Sequence, residues 1–136
     1  MRQSIIALPM LLLVAGCISA PPVQYYTLNM RPSGGAETGA NIEIDRLRAA
    51  EAIARPEILI KTSPTEIEYY ATDQWAAGLD ELVAEKLLAE FGPKQEGRET
   101  VTLSGTILAF EQVDEDSSAQ AHVKIAAEMR DADTPR

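Results

Sequence analysis

A chain of 136 residues carrying 12 basic and 21 acidic side chains is strongly acidic, with a formal net charge of −9. That balance excludes nucleic acid as a partner, which demands a basic footprint, and excludes adhesion to anionic headgroups by charge alone. One cysteine and one histidine leave no disulfide framework and no zinc site of the usual kind.

The amino-terminal stretch is the most informative. Arg2 and the chain terminus form a positive n-region, Ile5 to Val14 an apolar h-region, and Ala15-Gly16 a small-residue cleavage site. The next residue is the sole cysteine, Cys17, so Val14-Ala15-Gly16-Cys17 reads as a bacterial lipobox. The expectation is a signal peptide over 1–16 and an acylated Cys17 opening a tether over 17–23. A domain over 24–136 follows. The apolar run is too short for a bilayer core of about 20 residues, and Pro21-Pro22 follow soon after. Removing Arg2 takes the net charge from −9 to about −10, so attachment must come from acyl chains, roughly 0.8 kcal/mol per buried methylene. Once Cys17 is acylated no thiol remains. Ile18 to Val23 span at most ~20 Å, which holds the domain close to its membrane.

Within the domain, Gln24 to Met30 places Tyr26, Leu28 and Met30 on one face, a period-2 strand. Arg31 to Gly39 is a loop by composition. Ile42 to Asp45 alternates as a short strand, and Ala49 to Ala54 gives a helical turn or two before Pro56. Glu57 to Lys61 and Glu66 to Tyr70 are strands around a turn at Ser63-Pro64. Asp73 offers an N-cap for a helix from Gln74 to Phe91. Trp75, Leu79, Leu82, Val83, Leu87 and Phe91 share one side of it, and Gly92-Pro93 ends it. Lys86 and Glu90 at the stripe's margin predict partly exposed last turns. Thr100 to Phe110 and Ala119 to Met129 are long alternating strands joined by an acidic turn, Asp114 to Ser118. The alternation predicts one face on a core and one in water. The fold class is α+β, a single small domain whose antiparallel-rich sheet is covered by one long helix.

Chemistry is sparse. The only imidazole, His122, lies mid-strand between Gln120 and Lys124 and reads as solvent-facing. Asp114, Glu115 and Asp116 crowd a turn without the ligand spacing of a calcium loop. Gly34-Gly35 is followed by neither a lysine nor a helix, so no phosphate cradle is expected. No catalytic, cofactor-binding or metal-ligating residue is assigned, and an enzyme is not expected. Tyr69, Tyr70 and Trp75 form either core packing or an exposed aromatic anchor for a protein partner.

The layout resembles the ABC-type transport auxiliary lipoproteins, the PqiC-like (YmbA-like) group. The features that carry it are the lipobox at Cys17, the Tyr25-Tyr26-Thr27-Leu28 strand, the Ile42-Glu-Ile strand, Arg55-Pro56-Glu57-Ile58, and the helix from Trp75 to Phe91. The resemblance covers roughly Cys17 to Met129. It implies a non-enzymatic periplasmic lipoprotein working beside an MCE-domain protein and an ABC permease and ATPase. Such systems move lipids between the inner and outer membranes of a Gram-negative envelope, and some members oligomerise. By sorting logic, Ile18 after the cysteine points to the outer membrane. The family's chains continue past the last strand with another strand and a helix, so this one is a shortened version or a truncated gene. A missing neighbour would leave the Ala119–Met129 strand or its partner with an open edge and a partly uncovered apolar face, to be closed by a partner or by self-association. The alternative is a structural or assembly lipoprotein of the outer membrane unrelated to ABC transport. A solute-binding lipoprotein is disfavoured, since about 120 residues cannot form two closing lobes.

Overall fold

Ile107 has no exposed surface, and the fold is arranged around it. In the computed structural model, which describes residues 20–33, 39–115 and 118–131, Ile107 packs with Ile53, Leu59, Leu79 and Val83 in one core. Cys17, the signal peptide over 1–16, Gly34-Gly35, Asp116 and the segment after Asp131 lie outside the described residues.

Among the described residues the elements are β1 (Gln24–Tyr26), β2 (Asn41–Ala49), a 3₁₀ turn (Glu51–Ile53), β3 (Glu57–Lys61) and β4 (Ile67–Trp75). The helix α1 (Leu79–Phe91), β5 (Thr100–Glu115) and β6 (Ser118–Asp131) complete them. Six strands form one sheet in the order β1-β4-β3-β5-β2, with β6 also on β5. The sheet is mixed rather than antiparallel-rich: β1 on β4, β2 on β5 and β3 on β5 are parallel. Only β3 with β4 and β5 with β6 run antiparallel.

β5 organises this sheet. β6 takes one of its edges from Val101 to Glu115. On the other edge β2 pairs with Thr100 to Ile107, and β3 then pairs with Gln112 and Val113. The chain therefore runs twice along β5 in the same direction, interrupted by the 3₁₀ turn that drops Ile53 into the core. Ala50 N–H donates to the Ile107 carbonyl at 2.9 Å, closing the first run. Asn41 sets the register at its start. Its amide donates to the carbonyls of Gln95 (3.0 Å) and Arg98 (3.2 Å) and accepts from Gln95 N–H at 2.7 Å. That clamp holds the segment after α1 so that Thr100 arrives beside Asn41.

Several expected boundaries shift. The helix does not begin at Gln74 with Asp73 as its cap; it begins at Leu79, after Gly78. Asp73, Gln74 and Trp75 instead end β4, because β1 pairs with these three residues and Trp75 N–H donates to the Pro56 carbonyl at 2.7 Å. Tertiary pairing overrides a local cap here. The first strand ends at Tyr26 rather than Met30, and Leu28 turns in against the core. The β3–β4 turn falls at Ser63-Pro64 as expected, with the Ser63 hydroxyl accepting from Glu66 N–H at 3.1 Å. α1 buries Leu79, Leu82 and Val83. Its last turns are partly exposed, Leu88 by 49%, and Gly92 ends it with a positive φ of 73°.

The largest departure concerns β6. Alternation predicts one covered face, yet all 14 of its residues are exposed. Paired residues share a face, so Val123, Ile125 and Met129 stand beside Phe110, Ile107 and Leu103 on the core side of the sheet. They are nonetheless 50%, 39% and 58% exposed. α1 lies over the β2 side of β5 and leaves this apolar row bare.

Candidate interaction surface

Where the covered and bare parts of the inner face meet, the sheet holds a mostly apolar cavity of about 410 Å³. Trp75 and Phe110 form its inner wall, with ring centroids 5.4 Å apart and an edge-to-face angle of 81°. Leu28, Ile58, Ala119, Ala121 and Val123 complete the apolar lining. Trp75 reaches this place because β4 continues to it, and Phe110 because the bulge at Leu108 returns the following residues of β5 to the core side.

The aromatic cluster thus divides. Tyr69 is packed against the core, its hydroxyl donating to the Ala52 carbonyl at 2.9 Å and its ring under the Arg55 guanidinium at 4.2 Å. Tyr70 donates to Gln112 Oε1 at 3.0 Å. Trp75 also packs on the core, but one side of it faces the cavity. Core packing thus accounts for Tyr69 and Trp75.

The opposite face of the sheet is polar. Arg46 and Arg48 of β2, Ser104 and Thr106 of β5, and Glu128 and Arg130 of β6 line a shallow trough of about 450 Å³. Arg130 is spoken for by Glu128, at 2.8 Å. A second strand that stops at Asp45 leaves Arg46 and Arg48 outside it. Extended to Ala49, its period of two would have put both on one face. No comparable signal marks the cavity, which depends on β6 lying where no covering layer reaches.

His122 is exposed, with Nδ1 3.1 Å from Glu111 Oε1. Asp114 accepts from the Gln112 side chain at 2.8 Å. Among the described residues no group of three His, Cys, Asp or Glu side chains is placed to hold a metal. Among them, too, no helix is long and apolar enough to cross a membrane.

The Glu90 carboxyl is shifted from its ordinary titration. The Ser33 hydroxyl and, next, its backbone N–H (2.7 Å) donate to Glu90, pulling its carboxyl below the ordinary 4.5. This contact straps the segment after β1 onto the last turn of α1. Because the folded state has the lower pKa, the stabilisation is present above pH 4.5 and is lost as the pH falls through the folded value. The Ser33 amide should therefore lose its exchange protection on acidification, and Glu90→Ala should lose it already at neutral pH. Equal protection in both proteins at neutral pH would show that the strap contributes nothing.

A small mixed sheet with one helix and an apolar cavity on its inner face make up the described domain. Its family is shown by comparison: residues 26–133 match the family described as ABC-type transport auxiliary lipoprotein component, and the chain belongs to that family. A search of curated protein sequences finds no match. Among solved structures, protein XCC0632 from Xanthomonas campestris, of the DUF330 family, is similar with a TM-score of 0.66 at 16% identity. That alignment covers 81% of this chain and 69% of the other. A second uncharacterised protein aligns with a TM-score of 0.54 at 13% identity, over 85% and 84% of the two chains. At these identities the likeness concerns the fold alone.

Proposed function

We propose that this chain is a lipid-anchored, non-enzymatic adaptor of an MCE-type ABC lipid transport system. The family match over residues 26–133 carries the reading. The lipobox ending at Cys17 supplies the anchor: a diacylglyceryl thioether on the sulfur and, after cleavage, an acylated amino terminus. Two or more chains make attachment nearly permanent. The domain faces the periplasm of a Gram-negative envelope, and Ile18 sorts it to the outer membrane. Its partners are an MCE-domain protein and, through it, the permease and ATPase. The Trp75–Phe110 cavity supports a binding role, since its apolar lining suits a partner's apolar side chain.

Affinity capture of the full chain from membranes of its native host tests this. Recovery of an MCE-domain protein with its permease and ATPase is the expected result. Recovery of outer-membrane assembly factors instead would replace this reading with that of a structural lipoprotein. In the same host, Cys17→Ala is expected to move the protein out of the membrane fraction with its domain still folded. A variant that stays with the membrane would remove the anchor from the argument.

A further inference from the structure

β2 breaks its alternation once, and the break places two cations side by side. Ile44 pairs with buried Leu103, Asp45 is the extra residue of a bulge, and pairing resumes with Arg46 opposite Ser104. Unbroken alternation from Ile44 would turn Arg46 inward and Leu47 out. The bulge instead keeps Leu47 against the core and re-aims Arg46, so that Arg46 and Arg48 share the outer face ~7 Å apart. Both are exposed. The rows continue onto β5, where Ser104 lies opposite Arg46 and Thr106 opposite Arg48, so two hydroxyls flank two guanidinia. Further across, the Arg46 row reaches Glu128, which Arg130 already holds at 2.8 Å. The Arg48 row reaches Ala126 and meets no acid.

We propose that Arg46 and Arg48 form a binding site for a phosphate group, with the Ser104 and Thr106 hydroxyls as further donors. Acids are abundant in this chain, 21 against 12 bases, and other cations have found them: Arg55, Lys86 and Lys94 each lie within 3.3 Å of a carboxylate. Among the described residues Arg46 and Arg48 have neither an ion pair nor a hydrogen bond. The trough they border is lined by three arginines against two acids, Asp45 and Glu128. It is thus locally positive on a chain of net charge −9. Charges more than about 8 Å away are largely screened at physiological salt, so the local sign governs what the trough attracts. Each guanidinium is a planar fork that bonds two oxygens. A carboxylate fills one such fork, whereas a phosphate has oxygens for both forks and for a hydroxyl. This site requires neither a transport partner nor an acyl anchor, so it stands or falls separately from the adaptor reading.

Amide spectra of the full chain in non-ionic detergent, titrated with inorganic phosphate, test this, with chloride at matched ionic strength as the control for screening. Saturable shifts are expected at Arg46 to Arg48 and Ser104 to Thr106, with a dissociation constant on the order of 1 mM. Arg46→Gln and Arg48→Gln should each weaken binding on the order of tenfold. Arg48→Lys should recover only part of that loss, because an ammonium restores the charge without the fork. Lys61→Gln removes one charge from β3 and should leave the affinity unchanged. Circular dichroism of each variant reports that the fold is kept. A second arm replaces inorganic phosphate with glycerophosphoglycerol, a lipid headgroup without its acyl chains. Tighter binding of the headgroup fragment assigns the phosphate to a lipid, and tighter binding of inorganic phosphate assigns it to a free anion; both support the site. Shifts no larger than those with chloride, shifts confined to other residues, Gln variants that bind as before, or equal weakening by Lys61→Gln would each overturn the proposal. The first of these is also the result if an acid of this chain already holds the two arginines.

Discussion

Ile107→Ala is expected to cost about 2–5 kcal/mol of folding stability, the range for deleting a large aliphatic side chain in a packed core. Ile107 is fully buried and shares one core cluster with three other elements: the 3₁₀ turn through Ile53, β3 through Leu59 and α1 through Leu79 and Val83. Such a centre cannot collapse around a cavity without moving several elements at once. A domain of this size has roughly 5–15 kcal/mol in total, so the variant should be marginal. Urea denaturation read by Trp75 fluorescence measures it. Leu108→Ala is the matched control: its side chain is 45% exposed at the bulge, and it should cost far less. Equal losses at both positions would show that the bulge does not turn Leu108 out of the core.

Gly105→Ala is expected to force β6 away from β5. A β-carbon built at Gly105 would stand 2.5 Å from the Ala126 carbonyl oxygen and 3.3 Å from Ala127 Cα. Those are backbone atoms of the facing strand, so no side-chain rotation relieves the clash. Glycine serves here for space, because its φ is not positive. Overpacking of this kind costs about 1–3 kcal/mol, and the damage should centre on the β5–β6 ladder. Hydrogen exchange would show faster amides from Lys124 to Asp131, with the core around Ile107 less affected. Unchanged exchange there would mean that the two strands do not meet in this register.

How far the fold was legible depends on what each residue pattern reports. Glu57–Lys61 reads correctly as a strand because its period and its bounding prolines are local. The turn at Ser63-Pro64 and the stop at Gly92 are local for the same reason. Asp73 misleads because its aptness as a cap is local while its pairing with Gln24 is not. The mixed character of the sheet was illegible: the partners Asn41 and Thr100 are joined only through the intervening strands and helix. Alternation in β6 marks which side is apolar but cannot say whether anything lies upon it. The cavity was hidden for that reason, whereas Trp75 was visible as a residue of interest without its surroundings. Cys17 is the opposite case, a proposed lipidation site that rests wholly on its neighbours in sequence.

The place of β5 in the chain has a consequence for biogenesis. β2 has no other hydrogen-bonded strand partner among the described residues, and β3 needs β5 to join the rest of the sheet. β5 begins only at Thr100. A nascent polypeptide therefore cannot close its core until most of it has been synthesised, and contacts so distant in sequence form slowly. If the chain is exported as proposed, that delay would keep it threadable until it meets the translocation channel.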